Sequence, residues 1–157
     1  MNNKHKLYFG VGVIILILIA GVVFVNLTSQ ASEGQDYSTP SPGEVVRQYF
    51  EAWDKESWPD MYATLSDGFK KIDPNAKDLA AFRNFASTQG ISGVNIIDIT
   101  EKSNDGSAAT VAYSVEFGLS NGNKKPLSDS FTLKLRDGDI IRGWKLIHPY
   151  GQNIDTS

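Results

Sequence analysis

The chain has 157 residues, a formal net charge of −3 and no cysteine. Without cysteine, disulfides, Cys-ligated zinc, iron–sulfur clusters and a thiol nucleophile are excluded, so any domain must be held by packing alone. The two histidines, His5 and His148, are too few for a multi-histidine metal site in one chain, and the acidic balance argues against a nucleic-acid groove or a basic lipid-binding surface.

Leu7 to Leu27 are 21 consecutive residues without a charge. As a helix they would span ~32 Å, about the thickness of a bilayer's hydrocarbon core. Lys4 and Lys6 precede the run, and after it no Lys or Arg occurs until Arg47. The positive-inside rule therefore predicts a cytoplasmic N-terminus over residues 1–6, a transmembrane helix over 7–27, and an extracellular remainder on a plasma membrane. The alternative is a cleaved signal peptide, since Ser29-Gln30-Ala31 offers small residues for a peptidase, but the apolar run exceeds an ordinary signal core. Residues 28–40 are polar, end in Pro40 and read as a tether; 41–154 form one domain.

Ser41-Pro42-Gly43-Glu44 is a capping box with proline at the first helical position. Val45, Val46, Tyr49, Phe50 and Trp53 follow at helical spacing through about Lys55. Ser57-Trp58-Pro59-Asp60 opens a short second helix with Trp58, Met61, Tyr62 and Leu65 on one face, ended by Ser66-Asp67-Gly68. The third predicted helix, about Ala76 to Thr88, carries Leu79, Phe82 and Phe85 or Ala86 on its buried side, with Gly90 at its C-terminal cap.

From Ile91 the period changes to two. A first strand ends near Lys102, Asn104-Asp105-Gly106 turns the chain, and Val111, Tyr113, Val115, Phe117 and Leu119 alternate along a second strand. Asn121-Gly122 is the next turn; Phe131, Leu133 and Leu135 mark a third strand, and Asp137-Gly138-Asp139 turns into a fourth over Ile140 to Ile147. Helices followed by a strand meander define an α+β fold. The expected architecture is a transmembrane helix followed by a cone of three helices on a curved four-stranded antiparallel sheet.

Two stretches carry a resemblance. Glu44-Val45-Val46-Arg47-Gln48-Tyr49-Phe50-Glu51-Ala52-Trp53 and Trp58-Pro59-Asp60-Met61-Tyr62-Ala63-Thr64-Leu65-Ser66 resemble the opening of a nuclear-transport-factor-2-like (cystatin-like α+β) domain. They are similar, more narrowly, to the non-catalytic N-terminal domain of methicillin-resistance-type penicillin-binding proteins, and Gly143-Trp144-Lys145-Leu146-Ile147-His148-Pro149 resembles that domain's last strand. The resemblance implies a cone-shaped domain outside the cell and supplies no transpeptidase, since neither Ser-x-x-Lys nor Lys-Thr-Gly occurs.

The cone of this fold usually encloses a pocket. Tyr49, Trp53, Tyr62, Tyr113, Trp144 and His148 are its candidate lining, against the plainer reading that the aromatics are core. For catalysis the candidates are thin: Asp98 on the first strand, Glu116 and Ser114 on the second strand's polar face, and His148 at the end of the last strand. No catalytic residue is assigned, and no cofactor or metal is expected. Asp54, Glu51 and Glu56 read as the wet side of the first helix, and Lys70-Lys71, Lys124-Lys125 and Asp137-Gly138-Asp139 as solvated loop charge. The expected function is a non-enzymatic, membrane-anchored extracytoplasmic binding or scaffold domain of the cell envelope. Its partners would be the membrane, through Leu7 to Leu27, and an envelope protein or cell-wall material, with no nucleic acid. A small-ligand binder or enzyme using the cone pocket, and an assembly subunit of a secretion or conjugation complex, are the alternatives; the oligomeric state stays open.

Overall fold

In the computed structural model, which describes residues 39–150, the Ser41 hydroxyl accepts the Glu44 backbone N–H at 3.2 Å and starts helix α1, Pro42–Asp54. This satisfies one of the donors that a helix N-terminus leaves unpaired. The apolar face predicted for α1 is its buried face: Val45, Val46, Tyr49, Phe50 and Ala52 are all at or below 5% exposed. The helix ends on a Schellman pattern, in which Ser57 N–H donates to Ala52 C=O at 2.8 Å and Glu56 N–H to Trp53 C=O at 3.0 Å. Glu56 occupies the left-handed position with φ 52°, where glycine is the usual residue.

Helix α2, Trp58–Ala63, follows at once. The expected end of helical structure at Ser66-Asp67-Gly68 is instead a start. Ser66, fully buried, accepts the Phe69 N–H at 3.0 Å and caps helix α3, Asp67–Ile72. Asp78 caps α4, Leu79–Ser87, by accepting the Ala81 N–H at 2.8 Å. Phe82 and Ala86 are buried there as expected, whereas Leu79 is 39% exposed.

Strands β1 (Ile91–Asn104), β2 (Ala108–Leu119), β3 (Lys124–Arg136) and β4 (Gly143–Leu146) form one antiparallel sheet in the order β1-β2-β3-β4. Along β2 the odd-numbered residues Ala109 to Phe117 are buried and face the helices, and Thr110, Ser114 and Glu116 face the other way. The register of β1 shifts three times against β2, and the shift between Ile96 and Asp98 leaves Ile97 60% exposed beside Ile96. The outer edge of β4 is paired by the segment between α2 and α3: Leu146 N–H donates to Thr64 C=O and Ser66 N–H to Leu146 C=O, both at 2.9 Å. Asp54, expected on the wet side of α1, accepts the Val94 N–H at 2.8 Å and ties α1 to β1.

The domain is thus α+β with four helices on a four-stranded antiparallel sheet, which corrects the expected three helices on that sheet. The extra helix is α3. The expected transmembrane segment over 7–27 lies outside the described residues, as do 28–38 and 151–154; among the described residues no helix is long and apolar enough to cross a membrane. Strand β4 is also shorter than expected, because Ile140 and Ile141 stand 92% and 53% exposed in a loop. Gly143, at φ 125°, makes the bend from that loop into β4; a Cβ there would lie 3.2 Å from the Thr39 methyl group.

Two stability tests follow from this packing. Phe50→Ala is expected to lower unfolding free energy by about 3–5 kcal/mol in urea titrations, the cost of an unfilled aromatic site in a core. Glu56→Gly is expected to raise it by roughly 0.5–1 kcal/mol, since relief of left-handed strain exceeds glycine's added chain entropy.

Candidate functional site

Three of the six candidate pocket residues fill the space between α1 and the sheet. Tyr49 lies edge-on to Phe50, Trp53 and Phe131 at ring-centroid distances of 5.3, 5.8 and 5.6 Å. Phe50 is stacked on Phe131 at 5.7 Å and lies 4.9 Å from Tyr113, which is itself 4.4 Å from Phe131. Trp53 contacts Phe117 at 5.4 Å. The result is an interlocked aromatic layer. Burial, with Tyr150 and Tyr113 nearby, pushes the Tyr49 hydroxyl well above its ordinary pKa, and burial with the charge of Asp129 raises Tyr113 to about 12. Both hydroxyls therefore stay protonated at neutral pH, so neither serves as a general base.

The other three stand apart from that layer and from one another. Tyr62 packs on Phe82 at 5.4 Å and donates its hydroxyl proton to the Ala76 C=O at 3.0 Å. His148 is half-buried beyond the end of β4, where strand alternation no longer aligns it with Trp144. Trp144 alone lines an open cleft. The weaker catalytic candidates are on the sheet's solvent face. Asp98 is exposed and accepts the Thr100 hydroxyl at 2.9 Å, Ser114 bonds the Ser128 hydroxyl at 3.0 Å, and Glu116 pairs with Lys124 at 2.7 Å. Among the described residues no group of three or more His, Asp or Glu side chains is placed to hold a metal ion.

The cleft at Trp144 has a volume of about 380 Å3 and lies between α1, α2 and the outer edge of β4. Val45, Ala52 and Trp144 give it an apolar floor; Gln48, Glu51, Lys55, Asp60 and Arg142 supply polar walls. Glu51 is therefore a wall residue, although its spacing on α1 reads only as a wet face. Lys55 pairs with Glu51 at 3.5 Å, and Ser57 donates its hydroxyl proton to Asp60. The left-handed Glu56 between them turns the chain so that Lys55 and Ser57 both border the cleft. A second groove, between α2 and α4, is lined by Trp58, Leu79 and Arg83 with about 560 Å3 of shallower space.

Lys145, which lines the cleft, lies beside a charge cluster made by Asp67, Lys70 and Asp139. Asp139 Oδ2 accepts the Asp67 N–H at 2.9 Å, Asp67 Oδ2 accepts the Ile140 N–H at 2.8 Å, and Arg136 Nε reaches Asp139 Oδ1 at 3.3 Å. Two aspartates thus cross-brace the start of α3 and the β3–β4 loop. Asp139 is only 8% exposed, which corrects its reading as solvated loop charge. Lys70, also read as loop charge, is in α3, pairs with Asp67 at 3.1 Å and lies 4.5 Å over the Tyr62 ring. Lys145 is buried and donates to Ala63 C=O at 2.6 Å, a cation at the C-terminus of α2. Desolvation, helped by Lys70, lowers the Lys145 pKa from its usual value, and Asp139 and Asp67 oppose that shift. Desolvation alone would raise Asp67, but the Ile140 N–H and the bond and charge of Lys70, with Lys145, together hold it below the ordinary carboxylate range. The signal for this cluster was present but local: Ser66 with Phe69 and Ile72 three residues apart is a capped helical turn, and Asp67 sits at its first position.

No family model and no curated protein matches the chain. Among solved structures, a SEC-C motif containing protein from Rhodopseudomonas palustris aligns with a TM-score of 0.50 at 13% identity, over 72% of this chain and 82% of that one. One from Psychrobacter arcticus aligns at 0.49 and 15% identity over 70% of this chain, which spans 60% of that protein's length. The Delta 5-3-ketosteroid isomerase of a Mycobacterium species, a nuclear-transport-factor-2-like fold, aligns at 0.48 and 14% identity over 71% of this chain and 94% of that one. Such likeness is one of fold. No N-terminal domain of a penicillin-binding protein is among these neighbours.

Because the Asp67 pKa is depressed in the folded state, its stabilisation is whole above the unfolded value of 3.8 and is lost as pH falls through the lower folded value. Asp67→Asn should therefore cost about 1 kcal/mol at neutral pH, the Ile140 bond being weakened. The gap to the native chain should close in urea titrations as pH is taken below about 4.

Proposed function

We propose that the chain is a non-catalytic binding domain of the cell envelope, and that its partner is a protein held in the cleft between α1, α2 and β4. The observation that carries this reading is the aromatic layer of Tyr49, Phe50, Tyr113 and Phe131. It occupies the space in which a ligand would sit between α1 and the sheet, and leaves the concave surface at Trp144 outside the core. The cleft combines an apolar floor with a few polar groups of both signs, the composition of a recognition site. None of its acids is desolvated beside a nucleophile in the manner of a catalytic pair.

The resemblance of Glu44 to Ser66 to the accessory domain of penicillin-binding proteins supports a binding role over an enzymatic one. The uncharged run Leu7 to Leu27, with Lys4 and Lys6 before it, supports a site of action at the outer surface of a plasma membrane.

The test is site-specific photocrosslinking of the full-length protein in its native membrane. Benzoylphenylalanine goes at Gln48, on the cleft wall, and separately at Ser128, on the solvent face of β3. A protein adduct that forms from Gln48, is absent from Ser128 and disappears when Trp144 is replaced by Ala is the expected result. Equal labelling from both positions, or no protein adduct from Gln48, overturns the reading.

A further inference from the structure

We propose that the cleft takes an extended polypeptide segment, which adds as a short strand to the free edge of β4 at Trp144; this rests on the cleft being the binding site. The evidence is the direction of the backbone. In an antiparallel pair, successive residues send N–H and C=O alternately toward and away from the neighbouring strand. Leu146 sends both outward, to Thr64 and Ser66. Trp144 lies two residues earlier in the same strand and shares that direction. Its partner on β3, Leu135, agrees, because Leu135 N–H donates to Ser107 C=O on the β2 side, away from β4. The Trp144 N–H and C=O therefore face the cleft, and no hydrogen bond to either is formed among the described residues.

The neighbouring step of the edge is already used. Thr64 to Ser66 pairs with Leu146 in parallel, and then α2 leads the chain away from the edge before it reaches Trp144. The cleft begins where that internal partner leaves off: Ala63 and Thr64 line one end, and Ile141, Arg142 and Gly143 the other. A donor and an acceptor on one residue, spaced as in a strand, match the backbone of an extended peptide. The side chains around them select its character. Val45, Ala52 and Trp144 offer an apolar seat for one side chain of the incoming strand. Arg142 is exposed, and no carboxylate of the described residues lies within 4.0 Å of it. Its charge complements an acidic residue near that end of the peptide. At the opposite end Lys55 and Asp60 are already engaged, by Glu51 and Ser57. The favoured occupant is accordingly an extended segment with an apolar residue flanked by an acidic one.

The full-length chain in detergent micelles, panned against a phage-displayed library of random heptapeptides, supplies the probe. A selected peptide is synthesised with each backbone nitrogen methylated in turn, and its binding is read by fluorescence anisotropy. The expected result has three parts: selected sequences place an acidic residue beside an apolar one; a single N-methyl group weakens binding about tenfold or more, while methylation at the adjacent position is tolerated; and Gln48→Trp, which fills the cleft, abolishes binding. Trp144→Pro, which removes the outward N–H, should weaken binding more than Trp144→Phe, which keeps it. If binding is lost in Gln48→Trp but is indifferent to N-methylation, strand addition is overturned and the cleft stands. If binding survives Gln48→Trp, the peptide sits elsewhere and the cleft reading falls with it. Failure to select any peptide, or a dimer of the full-length chain that Gln48→Trp dissociates, overturns the peptide as occupant.

Discussion

Phe50 sets the character of this domain. It is 1% exposed, stacked on Phe131 and tilted against Tyr113 and Phe117, and it fastens α1 to the sheet. Aromatic pairs of this kind add to the free energy of area burial and also fix geometry, since each ring is held by edge and face contacts to several others. Once α1 is seated this deeply, its C-terminal turn lies close enough to β1 for Asp54 to accept the Val94 N–H, and its outer side forms one wall of the cleft. The packing that stabilises the domain thus also shapes the cleft on its flank.

Much of this was legible in the sequence. Val111, Tyr113, Val115 and Phe117 alternate faultlessly along β2, and each of these four is buried. Ser41 acts where cap chemistry places it, whereas Gly90, at φ 70°, lies two residues beyond Thr88, which is the C-cap of α4. The misreadings share a cause: a local signal had two meanings, and long-range contacts chose between them. Ser66-Asp67-Gly68 has the composition of a helix stop and the geometry of a helix start, and Asp139, 72 residues beyond Asp67, decides in favour of the start by accepting the Asp67 N–H. Ile140 and Ile141 look like the opening of a strand, yet the Asp67 bond to the Ile140 N–H holds that residue in a loop.

Of the candidate site, one residue in six was placed at the cleft, Trp144. Aromatic residues in a cone-shaped fold satisfy two descriptions equally, pocket lining and core filling, and composition cannot separate them. What separates them is whether neighbouring rings interlock, and that depends on pairings such as Tyr113 with Phe131 across β2 and β3. The backbone groups of Trp144 have no signature in sequence, because which way an N–H points follows from sheet register and strand order. A functional reading taken from side chains alone overlooks such a site.

The three register shifts of β1 bear on a different question, how a long border strand is made a poor template for other chains. A sheet with β1 on its border exposes a 14-residue strand to any passing chain. The longest unbroken register there runs over Gly93–Ile96 and Asp98–Glu101, and the first of these is partly blocked by the Asp54 carboxylate on the Val94 N–H. A flat intruding strand would lose step with β1 after about a turn of the pleat. Aggregation through that border is thereby discouraged, which leaves the brief, walled opening at β4 as the border of the sheet able to admit a guest.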